Sequence, residues 1–102
     1  MTTFDDREAA FESKFVHDAE TQFRLEARAN KKIALWAADI MGKSAADALA
    51  YVAEVIRADM QESGAEDVIA KVGADLGARS TAAAIREKYA AFLVEAQQEM
   101  MQ

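Results

Sequence analysis

Apolar residues recur along this chain at helical spacing. Phe4, Phe11, Phe15 and Phe23 follow one another at intervals of seven, four and eight residues, inside a highly charged stretch. Such intervals keep the rings on one slowly drifting face of a helix and leave the charges on the others. Ala27, Ile33, Ala34, Trp36, Ala37 and Ile40 carry that face onward. A second set, Ala48, Leu49, Val52, Val55, Ile56 and Met60, proceeds in steps of three and four. Ala65, Val68, Ile69, Val72 and Leu76 make a third face; Ala82, Ile85, Tyr89, Phe92, Leu93, Ala96 and Met100 make a fourth.

The punctuation between these sets fits helices. Thr3 and Asp6 resemble a capping box, and Asp5, Asp6 and Glu8 suit the positive end of a helix dipole. Gly42 is the first stop, with Lys43 placed for the negative end. Ser44 and Asp47 open the next helix and Gly64 closes it. Glu66 and Asp67 start a third, which Gly77 ends; Ser80 or Thr81 starts a fourth. Gly73 weakens the third helix by about 1 kcal/mol relative to alanine. The pattern predicts an all-α four-helix bundle with helices at about 20–41, 44–63, 65–76 and 81–101.

Lengths then separate the first helix into two parts. A continuous helix over residues 4–41 would span roughly 57 Å, whereas a helix of about 20 residues spans roughly 30 Å. The other helices cover only about half of the first. Residues 33–40, with Trp36, have the apolar density of a core element, so Phe23 onward is assigned to the bundle. A bend or fray is expected near His17–Thr21, because Ala19 is the only apolar residue there and Thr21 is a poor helix former. The organisation expected is a docking segment at 1–18 and a bundle domain at 19–102. The first part overhangs, folds back or frays, since a helix shorter than ~15 residues is marginal in water. It is expected to be mobile in the free protein and helical when docked. Aromatic anchors at i, i+7 and i+11 are the pattern of helix-in-groove recognition. The plainer reading is that Phe4, Phe11 and Phe15 complete this protein's own core.

Composition narrows the function. A chain of 102 residues is one domain. It has no proline and four glycines, too few turn formers for a sheet-rich fold. The net charge of −6 argues against a nucleic-acid partner. No run approaches the ~20 apolar residues of a membrane span. The start, MTTFDDRE, lacks the apolar region of a secretory signal. With no cysteine, there is no disulfide, thiolate zinc site or cysteine nucleophile, which fits a reducing cytoplasm.

Candidate chemistry is sparse. His17 is the only histidine, and a metal site needs more such ligands. It lies within a turn of Asp18 and Glu20, which makes it a candidate pH sensor; a solvated surface histidine is the simpler reading. Arg24, Arg28, Lys31 and Lys32 form a basic strip that could meet phosphate or an acidic surface. A solvated face with Glu20 paired to Arg24 is the reading favoured here. Ser44 and Ser80 read as caps, and no carboxylate pairs with a convincing nucleophile, so catalysis is not expected. There is no glycine-rich phosphate loop. Trp36 and the Met100–Met101 pair could line a ligand site, but a core tryptophan and a frayed terminus account for them. The alternative function is a small helical module that binds an adenine nucleotide or another metabolite weakly. No motif supports it, and no cofactor is assigned.

The segment FDDREAAFESKF, followed by ARANKKIALWAADIMGKS, resembles the ζ subunit, the inhibitor of the alphaproteobacterial F1-ATPase. EDVIAKVGADL is similar to that family's third helix, and the resemblance covers essentially the whole chain. It implies a four-helix bundle carrying an inhibitory N-terminal segment that enters a catalytic interface between α and β, near the rotating γ subunit. It further implies a non-enzymatic regulator in the cytoplasm, peripheral to the inner membrane through the ATP synthase. By this resemblance Phe4, Arg7, Phe11, Lys14 and Phe15 are the partner-binding positions: three aromatic anchors and two ion-pair partners. Ala9, Ala19 and Ala29 depart from the charged residues expected there. Such departures bear on the strength of docking more than on its mode.

Overall fold

A computed structural model of the chain describes residues 19–61 and 65–101, and every regular element among them is helical. Four α-helices follow in order: α1 (Ala19–Ile40), α2 (Ala45–Gln61), α3 (Ala65–Leu76) and α4 (Ala82–Met101). A 3-10 turn, Gly77–Arg79, joins α3 to α4. The fold is all-α, with four packed helices, as the apolar pattern predicts.

The helix ends have local causes. Gly42 adopts φ +72°. Its N–H donates to Asp39 O, and the Lys43 N–H donates to Ala38 O, both at 3.0 Å. This pair of bonds satisfies the last carbonyls of α1 and needs a left-handed residue, which glycine adopts without a Cβ clash. Ser44 Oγ accepts from the Asp47 N–H at 3.2 Å, and Thr81 Oγ1 accepts from the Ala84 N–H at 3.1 Å. Thr81, not Ser80, is therefore the cap of α4.

One apolar cluster runs through all four helices. From α1 it takes Ala29, Ile33, Ala34, Ala37 and Ala38, each fully buried. Four of these five are alanines, so neighbouring helices approach α1 closely and the core is thin. Trp36 packs against this cluster while only half-buried. Ala29 is fully buried, so a charged residue at that position would be desolvated without a built partner; alanine there belongs to the core, not to a docking face.

Five assignments change in the structure. Phe23 is 66% exposed, so it does not join Trp36 in the bundle. The cause is again length. The 22 residues of α1 outrun the 17 of α2, and the two are antiparallel neighbours across a four-residue link. The first turns of α1 project beyond the end of α2. Leu49 is 63% exposed, while Tyr51 is 2% exposed. The inward arc of α2 is rotated towards Tyr51, whose hydroxyl donates to Asp75 Oδ2 of α3 at 2.9 Å. Ile40, Ile56 and Ala82 likewise sit at the rim or outside it.

Gly73 lies inside α3, and an added Cβ would meet only Ile85 Cδ1 at 3.7 Å, an ordinary contact. Helical backbone with space for a methyl favours alanine. Gly73→Ala is expected to stabilise the bundle by about 0.5–1 kcal/mol, read as a higher urea midpoint at unchanged slope.

Candidate functional site

The chain enters the bundle through the first turns of α1, and the charges on that helix set the surface beside the entry. Arg24 Nη2 pairs with Glu20 Oε1 at 2.6 Å, one turn apart. Further along, the strip turns to α4. Arg28 Nη1 lies 3.4 Å from Glu99 Oε1, and Lys32 Nζ lies 2.7 Å from Glu95 Oε1 and 2.8 Å from Glu99 Oε2. Hydrogen bonds to Glu95 and Glu99 raise the Lys32 pKa, and the hydrogen bond from Lys32 lowers that of Glu99. The basic strip is therefore more than a solvated face: it ties α1 to α4. A groove of about 470 Å³ runs beside it, lined by Arg28, Lys31, Lys32, Leu35 and Glu99. A nucleotide phosphate there would meet the Glu99 carboxylate and compete with it for both cations.

Deeper in the bundle stands a polar contact. Asn30 is 1% exposed, and its Oδ1 accepts a hydrogen bond from the Tyr89 hydroxyl at 2.9 Å. The Asn30 amide also bonds the Asp59 carboxylate. Burial pushes the Asp59 carboxyl up, repulsion from Glu26 and Asp67 adds to this, and the Asn30 bond opposes it. Burial, with Glu26 and Asp59, pushes the Tyr89 hydroxyl up to about 12. Half-buried carboxylates of α1 (Glu26) and α3 (Asp67) thus lie close enough to the half-buried Asp59 of α2 to disfavour its charge.

This arrangement has a pH consequence. A carboxyl whose folded pKa is raised contributes stability that is complete below the unfolded pKa and is lost as pH rises through the folded value. Asp59→Asn removes the loss and keeps an acceptor for Asn30. The variant is expected to be more stable than the parent at pH 7, with the difference closing as pH falls below about 4, the unfolded carboxylate range. Thermal midpoints across pH 3–8 check this; equal midpoints at pH 7 would contradict it.

A second polar group fixes α2 against α3. Lys71 Nζ lies 2.9 Å from Asp75 Oδ2, and the ammonium groups of Lys43 and Lys71 lie 5.6 and 5.5 Å from the Tyr51 ring centroid. Burial alone would raise the Asp75 carboxyl, but the Lys71 and Tyr51 donors outweigh it and hold it below its usual range. Burial and the bond to Asp75 push the Tyr51 hydroxyl well up. Tyr51 is thereby a packing residue with a satisfied hydroxyl, not a proton donor in chemistry.

Phe4, Arg7, Phe11, Lys14, Phe15 and His17 lie outside the described residues. Of the other candidates, Ser44 is a cap and Trp36 lines the core. Asn30 and Tyr51 were not singled out from the sequence. The signal for Asn30 was present: it is the chain's only asparagine, and it shares a helical face with Ile33 and Ala37. A polar residue on an apolar stripe asks for a partner. Among the described residues no group of three or more His, Cys, Asp or Glu is placed to hold a metal ion, and no helix is long and apolar enough to cross a membrane.

Comparison with known proteins gives this bundle its place. The family model of ATPase inhibitor subunit zeta matches residues 1–99. The chain belongs to that family. Members of the ζ family are non-catalytic regulators, and membership implies an interaction with F1-ATPase. A chain whose structure was solved by solution NMR is 45% identical to this ζ-family chain, with a TM-score of 0.70, over 78% of this chain and 94% of the other. No curated protein matches.

Proposed function

We propose that this ζ-family chain inhibits ATP hydrolysis by inserting residues 1–18, as an amphipathic helix, into a catalytic αβ interface of F1 beside γ. Phe4, Phe11 and Phe15 are the aromatic anchors, and Arg7 and Lys14 are the ion-pair partners. The observation that carries this reading is the extent of the family match, which begins at residue 1 and takes in the Phe stripe. Two further observations support it. The four described helices already share one continuous core. Two of the cations beside the α1–α4 groove, Arg28 and Lys32, are paired with Glu95 and Glu99. The bundle then acts as a bulky holder outside the interface, and the protein works in the cytoplasm, peripheral to the inner membrane through the ATP synthase. His17 stands at the junction between the two parts and is the candidate for pH dependence.

A photoreactive phenylalanine analogue at Phe11 tests the placement. Irradiation of the complex with F1 is expected to link position 11 to α or β, with γ as a minor product. Linkage to none of the three would sink the reading.

A further inference from the structure

Phe23 is the one aromatic ring among the described residues that the bundle leaves mostly exposed, at 66%. It nevertheless lies on the inward arc of α1. Ala27, Asn30 and Ala34 follow it at i+4, i+7 and i+11, and Asn30 and Ala34 are buried. A ring on that arc is exposed only because its neighbours do not reach it. Counting back from the α1–α2 link, Phe23 stands level with position 62, just past Gln61, the last residue of α2. Arg28 pairs with Glu99, so Phe23, further towards the start of α1, stands beyond Met101, the last residue of α4. The third helix begins at this same end and runs back along α2, through the Lys71–Glu54 and Tyr51–Asp75 contacts. The first turn of α1 extends roughly 6 Å further along the axis.

A lone exposed apolar side chain on a protein surface is ordinary, and Leu49 is such a case at the other end of the bundle. The place of Phe23 is different. It follows closely on Ala19, where α1 joins the segment assigned to F1. The four residues between them span roughly 6 Å of helix, so a partner that holds residues 1–18 lies within a side chain's reach of the ring. A single helix is about 10–12 Å across with its side chains. It fits a cleft between two subunits, whereas the end of a four-helix bundle is far too wide to follow it. Entry then stops where α2 and α4 end, which is at Phe23.

We infer that the F1 contact continues past residue 18 to Phe23, whose ring takes an apolar pocket at the mouth of the interface, while the ends of α2 and α4 form the shoulder that limits entry. The inference rests on the proposed insertion of residues 1–18 and adds a contact from the bundle's own first helix. A ring that passes from water into a protein pocket on binding contributes affinity. Because the same ring is in water in the free bundle, its removal leaves the bundle's stability almost unchanged.

Phe23→Gln is expected to weaken inhibition of F1 at least fivefold and to leave the urea midpoint of the bundle unchanged. Leu49→Gln removes a side chain of similar exposure, 63%, near the α1–α2 link, and is expected to change neither. Wild-type potency of Phe23→Gln, or an equal loss in Leu49→Gln, would overturn the inference. A photoreactive phenylalanine analogue at position 23 reads the contact without removing the ring. In the complex with F1 it is expected to link to α or β. Linkage only within the chain, or to a second copy of it, would overturn the inference, since either marks a different occupant. The same analogue at position 11 separates the two readings. Linkage at 11 with none at 23 overturns this inference alone, and linkage at neither overturns the proposed function as well.

Discussion

Ile33→Ala is expected to lower the stability of the bundle by about 2–5 kcal/mol, towards the upper end of the range for such truncations. Ile33 is fully buried near the middle of α1, where it faces the shared core. Its fully buried neighbours on the same helix are Ala29, Ala34 and Ala37. Alanines have no side-chain freedom with which to fill a cavity, and their helices already pack closely. The void left by three carbons therefore stays open, and the cost includes the lost contacts of its lining. For a domain of this size, each 1 kcal/mol moves the melting temperature by about 4–8 °C. Urea unfolding followed by circular dichroism reads the loss directly. A change below about 1 kcal/mol, the low end for conservative truncations, would mean that α2 and α3 can slide inward and that the core is not held by α1.

Phe11→Ala is expected to do the opposite. It should weaken binding to F1 by at least about 1–2 kcal/mol, roughly 5–30-fold, as the loss of a buried aromatic anchor does. It should leave the unfolding midpoint of the bundle nearly unchanged. The separation of the two effects is what distinguishes a docking segment from a core element. Truncation of a ring that completes the bundle's own core would cost about 3–5 kcal/mol of stability. A large drop in midpoint with F1 binding retained would place Phe11 in that core. The same pair of measurements applies to Phe15→Ala.

Much of the bundle is legible from the chain. Gly42 and Gly77 end helices because only they adopt the left-handed backbone there at little cost, and Ser44 shows itself as a cap by its position before an apolar run. Ile33, Val52, Val55, Val72 and Ile85 are buried, as helical spacing alone predicts. What spacing cannot give is the rotation of each helix to a fraction of a turn. Leu49 and Tyr51 are both apolar enough to be buried, and a side-chain hydrogen bond to Asp75, 24 residues away, turns the helix towards Tyr51. The fate of Phe23 depends on where α2 stops, which belongs to another part of the sequence. The α1–α4 ladder has the same character. Arg28 and Lys32 look like surface charges until Glu95 and Glu99, more than 60 residues on, are brought beside them. The proposed docking residues rest on a different signal, the resemblance of a charged, Phe-striped segment to a family, and the match over residues 1–99 bears out that family.

The division of labour between the two parts of the chain is tested most directly by F1 hydrolysis assays with two forms of the protein. One is the intact chain; the other begins at residue 19, with its helical content checked by circular dichroism. The intact chain is expected to suppress ATP hydrolysis, and the shortened chain, still folded, is expected to leave it unchanged at the same concentration. Equal inhibition by both forms would contradict the account and move the inhibitory contact from the Phe stripe to the bundle.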